Sequence, residues 1–138
     1  MKKTNLVLAV VLSVVGLFAV NAFSWQAVGS PINVSIPAYK AYSHQFDLLV
    51  NGRVNFNYNI QGGAATIYVM TEEQLLRATS GQEPTELGRD FVMVMSGVVG
   101  SGNIISPRLG QGRYSVTIRN TGDTPITLIG DVSAEESY

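Results

Sequence analysis

Cysteine is absent from the 138-residue chain, which excludes a disulfide framework, a thiolate metal site and a thiol nucleophile together. Histidine occurs once, at His44, too little for a zinc site without cysteine. Charge is also scarce. Asp, Glu, Lys and Arg make up 14% of residues, against about 25% in ordinary soluble chains, so the polar surface has to be built from Asn, Gln, Ser and Thr. The few charges form no basic stripe, and the electrostatic footprint of a nucleic-acid binder is missing.

The N-terminus reads as an address. Lys2 and Lys3 precede an apolar run from Leu6 to Val20, and Val20-Asn21-Ala22 places small residues at −3 and −1 of a cleavage site after Ala22. The alternative is a retained anchor, since Leu6 to Phe23 counted as one stretch with Trp25 at its boundary nearly matches a bilayer core. Membrane contact then runs through residues 6–23 if they stay uncleaved. Either way the remainder is expected outside the cytoplasm: secreted, periplasmic or at the cell surface. A chain cut after Ala22 keeps seven basic side chains against ten acidic ones, a net charge of −3.

Beyond the address there is room for one domain of roughly 100 residues. The expected division is 1–22 as signal peptide or anchor, 23–37 as an extension with a first strand, and 38–138 as the folded domain. The dominant period there is two, the mark of half-buried strands. Val54, Phe56, Tyr58 and Ile60 alternate with Asn55, Asn57, Asn59 and Gln61, and Tyr42, Phe46, Leu48 and Val50 form another apolar row. A tight Asn51-Gly52 turn would set the apolar row of one strand on the polar face of the next, so either a three-residue loop or a crossing between sheets is expected here. Tyr114, Val116 and Ile118, then Ile126, Leu128 and Val132 across Thr121-Gly122-Asp123-Thr124, read as a hairpin. The glycines at 97, 100, 102, 110 and 112 are expected to separate short strands around Ile104 and Leu109.

Two segments, Ala65 to Met70 and Phe91 to Val99, have no polar face and need cover on both sides. The helix candidate is Thr71 to Ser80, with Thr71 and Gln74 as a capping box and Gly81 as a stop. Pro31 and Pro37 bracket the alternating Ile32, Val34 and Ile36, a strand expected either to pair within its own sandwich or to be donated to a neighbouring filament subunit. The fold class is therefore all-β: an antiparallel sandwich of the jelly-roll or Greek-key kind, about seven or eight strands with one short helix.

Asn51 to Tyr58, the strand-to-helix step Ile67 to Gln74, and Gly112 to Gly122 with its Gly-x-Tyr start together resemble the GOLD domain of Golgi-trafficking proteins and related exported bacterial and archaeal sandwiches. The eukaryotic trafficking members carry a cysteine pair and a C-terminal membrane helix, and this chain has neither. What the resemblance implies is a compact sandwich used for protein contacts rather than chemistry.

Side chains able to do chemistry are sparse. His44 lies in phase with Tyr42 and Phe46, and Ser43 and Asp47 do not supply a triad with it, because adjacent strand residues point to opposite faces. His44 is expected half-buried with one hydrogen bond. The acid pairs Glu72-Glu73, Glu83 with Glu86, and Glu135-Glu136 fall in a helix first turn, a polar loop and a tail, not across a cleft as glycoside hydrolysis needs. No loop has the Asp-x-Asp-x-Asp spacing of a calcium site. No catalytic residue, metal site or cofactor is expected. The leading function is a non-catalytic interaction or accessory module with a protein partner or self-association, and its surface is expected at Phe91, Val92, Met93, Val94 and Met95. A carbohydrate-binding module using Tyr39, Tyr42, Tyr58 and Tyr68 is the alternative, and a small secreted hydrolase a third.

Overall fold

A computed structural model describes residues 23–137, with side chains placed for 25–135, and the expected leader over 1–22 lies outside the described residues. Among the described residues seven strands and one helix follow in the order β1 (Phe23–Ala27), β2 (Ile32–Ile36), β3 (Ala41–Leu48), β4 (Val54–Thr71), α1 (Glu72–Thr79), β5 (Met93–Ile105), β6 (Gly112–Asn120) and β7 (Ile126–Ser137). All pairings between named strands are antiparallel. They form one sheet curled on itself into two layers. This is the antiparallel β class with a single short helix that the residue pattern predicts.

The long strand β4 makes the curl. Its first half, Val54 to Gln61, pairs with β7, and its second half, Ala65 to Thr71, pairs with β6. Gly62 sits between the halves at φ +98°, a left-handed conformation that a side chain would strain. The register against β5 shifts between Ile60 and Ala65 and again between Ala65 and Ile67, and an irregularity of the bulge kind changes which side of the strand faces in. Accordingly Val54, Phe56 and Ile60 are buried before the bend, and Ala65, Ile67 and Val69 after it. β5 follows β4 around the corner as its partner from Met93↔Val69 to Asn55↔Ile105. Its glycines at 97 and 100, both at positive φ, lie at this corner. They bend one long strand, where the glycine spacing had suggested several short ones.

The first layer therefore holds β1 and β2 against β7, then β4 and β5, while the second holds β3, β6, β4 and β5. Residues 23–37 supply two strands, and β2 pairs with its own β7 from Ile32↔Gly130 to Ile36↔Ile126. Between Leu48 and Val54 the chain crosses from one layer to the other, and Gly52 is bridged to Leu109 on the way.

The hairpin expected between β6 and β7 does not form. β6 pairs with β3 and β4, while β7 pairs with β1, β2 and β4. Asn120, fully buried, makes the crossing instead. Its amide donates to the carbonyls of Ile36, Pro37 and Thr124 and accepts from the Gly122 N–H, so the corner is tied to the β2–β3 turn. Close approach between layer-one strands is seen at Gly130, where a Cβ would fall 2.3 Å from the Asn57 carbonyl oxygen.

One core lies between the layers, with Phe56, Val116, Ile118 and Leu128 fully enclosed. A smaller cluster lies outside the second layer. Tyr68 and Met70, on the outer face of β4, pack with Leu75 of α1 and with Phe91, and the Tyr68 and Phe91 rings are 5.5 Å apart. The helix is thus the second cover that the all-apolar run of Ala65 to Met70 requires. Its N-terminus is the capping box read from the sequence: Thr71 Oγ1 accepts from the Gln74 N–H at 3.1 Å, and Gln74 Oε1 accepts from the Thr71 N–H at 2.9 Å.

Candidate functional site

Exposed apolar surface concentrates on β5. The strand has thirteen residues, Met93 to Ile105, and none is charged. Among the described residues its only strand partner is β4, so its other edge is open. Val94, Met95, Val99 and Ile105 are 38%, 36%, 64% and 43% exposed. Edge strands usually carry charge, proline or a covering segment, because a bare row of N–H and C=O groups invites another strand. Two other edges are protected in that way: β2 is flanked by Pro31 and Pro37, and β3 carries Asp47 in an ion pair with Arg113 at 3.1 Å.

Because the ribbon of β4 and β5 is folded over, both ends of β5 return to one side of the molecule. Met93 and Val94 from its start and Ile105 from its end line an opening of about 540 Å³ together with Leu87, Phe91 and Pro107. Of the residues singled out from the sequence, Phe91, Val92, Met93 and Val94 meet at this opening, and Met95 lies exposed one position further along. Phe91 itself is buried, 5% exposed, beneath α1. Being apolar, it completes the cluster that the helix covers and leaves the accessible surface to its neighbours. Ile105 and Leu87 line the opening without having been read from the sequence, since glycines hide the continuity of the chain there, and Val99 is exposed in mid-strand, away from the opening.

The tyrosines separate. Tyr42 and Tyr58 pack against the main core, and Tyr58 lies beside Phe56, 5.8 Å between rings. Tyr39 and Tyr68 come together at a groove of about 300 Å³ between the outer face of the second layer and the chain leaving α1. Tyr39 is 64% exposed and adopts φ 61°. Across the groove Arg119 Nη1 donates to Glu83 Oε1 at 2.6 Å, and the hydrogen bond and charge of Glu83 raise the arginine pKa against its partial burial.

His44 is 8% exposed and its Nε2 lies 2.8 Å from the Val28 carbonyl oxygen, which makes it the donor there. That contact holds the link between β1 and β2, and among the described residues no acid or nucleophile joins it. Glu72 and Glu73 sit in the first turn of α1. Glu135 departs from its expected place in a tail. It lies in β7 opposite Trp25, buried to 2% exposure, and its Oε2 accepts from Arg53 Nε at 3.1 Å. The Arg53 guanidinium, itself 5.9 Å from the Trp25 ring centre, holds the Glu135 carboxyl below its usual range against the opposing effect of burial. Oε1 accepts no hydrogen bond among the described residues, and Arg108 Nη2 stands 3.6 Å off. Asp90, 4% exposed, is likewise held well below the usual range, first by Arg89 and then by the Thr85 N–H. Both acids close loops: Asp90 ties the turn over 85–90, and Glu135 ties β7 to the start of β4. Among the described residues no three His, Asp or Glu side chains are grouped to hold a metal ion.

These features define an antiparallel β-sandwich whose open strand and groove, rather than a cluster of reactive groups, are its distinctive surfaces. No protein-family model and no curated protein matches the chain. Among solved structures it is similar to the pre-peptidase C-terminal domain of a collagenase from Bacillus anthracis, with 9% identity and a TM-score of 0.56 over 76% of this chain and 89% of that one. At that identity the likeness speaks for the fold alone. PliG of Aeromonas hydrophila, a periplasmic inhibitor of g-type lysozyme, overlaps at 15% identity and a TM-score of 0.47, covering 80% of this chain and 88% of that one.

Proposed function

We propose that the protein is a non-catalytic, extracytoplasmic interaction module that takes an extended segment of a protein partner, a second copy included, onto the open edge of β5. The observation that carries this reading is the uncharged thirteen-residue edge with its exposed valines, methionine and isoleucine. An added strand would satisfy the free backbone groups, while the side-chain row beside it supplies apolar contact. Methionine suits such a surface because its unbranched thioether adapts to irregular neighbours. The Lys2-Lys3 and apolar leader pattern supports the location, and the GOLD-like segments support a sandwich used for contacts.

The test compares two lysine substitutions. Val99→Lys charges the middle of the open edge, and Asn33→Lys charges an exposed position on β2. Light scattering, with capture from the native host, is expected to show wild-type association that Val99→Lys loses and Asn33→Lys keeps, both variants retaining the β-sheet circular dichroism of the parent. A wild type that stays monomeric and captures nothing, or a folded Val99→Lys that associates normally, overturns the reading.

A further inference from the structure

Tyr39 is the only non-glycine residue at positive φ among the described residues. A bulky side chain in the left-handed region is strained, and glycine or asparagine would occupy it more easily. Packing does not account for the choice, because Tyr39 is 64% exposed. Strain of this kind persists where the surroundings enforce it and tends to gather at binding sites. The surroundings do enforce it here: the Lys40 N–H donates to the Pro37 carbonyl at 3.1 Å, and the buried Asn120 amide holds the same carbonyl from the other side.

Opposite Tyr39, the Arg119–Glu83 pair presents a donor and an acceptor side by side. Their side chains are 39% and 60% exposed, so the guanidinium keeps N–H groups, and the carboxylate lone pairs, for a third party. Between them Ala41 and Thr117 line the groove. Thr117 Oγ1 is held in place by Ser43 Oγ at 2.8 Å and by Ser115 Oγ at 3.2 Å.

From this juxtaposition we propose that the groove binds a neutral saccharide, with Tyr39 as the stacking platform and Arg119 and Glu83 as the hydrogen-bonding pair. A sugar hydroxyl both donates and accepts, as this pair does, and the C–H face of the ring suits an exposed aromatic surface. The arginine and glutamate charges offset one another, which disfavours an anionic ligand, and a space of about 300 Å³ is at the lower end for small-ligand sites. The site uses no residue of β5, so it stands or falls apart from the edge-strand reading.

Calorimetric titration of the full chain with cellotetraose, chitotetraose and maltotetraose in turn tests it, alongside Tyr39→Gly and Tyr39→Phe. At least one sugar is expected to bind. Tyr39→Phe keeps the ring and the affinity, whereas Tyr39→Gly weakens binding by about tenfold or more, with an unfolding midpoint equal to or above that of wild type because the strain is relieved. Absence of heat with all three sugars overturns the proposal. So does wild-type affinity in Tyr39→Gly, or a Tyr39→Gly midpoint well below wild type, which would make the ring a packing element.

Discussion

Phe56 has no exposed surface, and its ring sits between Tyr58 and the glycine at 130. Replacing it by alanine removes buried area and leaves a cavity, at about 3–5 kcal/mol, a large share of the ~5–15 kcal/mol that holds a domain together. Its neighbour Asn57 points outward, donating to Asp131 Oδ1 at 3.1 Å on the exposed face. Asn57→Ala is expected to change stability by less than about 1 kcal/mol. Urea unfolding of the two variants checks the contrast, and equal losses would mean that the faces of β4 are misassigned. Glu135 and Asp90 set the acid behaviour. Both carboxyls are held below their unfolded values, so their stabilisation is present above the unfolded range near pH 4 and disappears as pH falls through the lower folded values. Thermal midpoints are therefore expected to be flat from neutral pH to about 5 and to fall below that. Glu135→Gln lowers the neutral plateau and shallows the acid decline, and an unchanged slope in that variant would remove Glu135 from the account.

Among the elements, α1 depends on one residue. Thr71 ends β4 and caps the helix through its side chain and through Gln74. Thr71→Ala is expected to cost about 0.5–2 kcal/mol and to loosen the cover over Tyr68, Met70 and Phe91. Tyrosine fluorescence and hydrogen exchange at Tyr68 measure that loosening; unchanged protection there would show that packing alone seats the helix. The helix and its cap were legible in the sequence because capping chemistry is local, as was the first half of β4, where the alternation is unbroken. The partner of each strand was less legible. Residues 126–132 read correctly as a strand with Ile126, Leu128 and Val132 inward, but alternation reports which face is buried and says nothing of the neighbour. The Thr121 to Thr124 turn looked like a hairpin because its binding by Asn120 to Ile36 and Pro37 is a contact between residues over eighty positions apart. The start of β5 was legible as an apolar run through Met93, Val94 and Met95 but lost as one continuous strand to Ile105, since glycines that bend a strand look the same as glycines that end one. Glu135 was read as part of an acidic pair in a tail, and its burial was not legible because Arg53 lies 82 positions back in the chain.

For the molecule as a whole, residues 23–27 already belong to the sheet, with Phe23 opposite Ser137. Processing after Ala22 would leave that pairing intact. Edman sequencing of the native protein is expected to begin at Phe23, and a start at Met1 in detergent-extracted material would establish the retained anchor instead. In the first layer, closure of the sandwich waits on one strand. β7, the last of the described strands, is flanked by β4 on one side and by β1 and β2 on the other. Until it docks, those three strands have no common partner, and the apolar residues they contribute to the core are not enclosed. Closure of loops this long is slow. The sandwich therefore closes as a unit, when Ile126–Ser137 slides between strands that are otherwise strangers to one another.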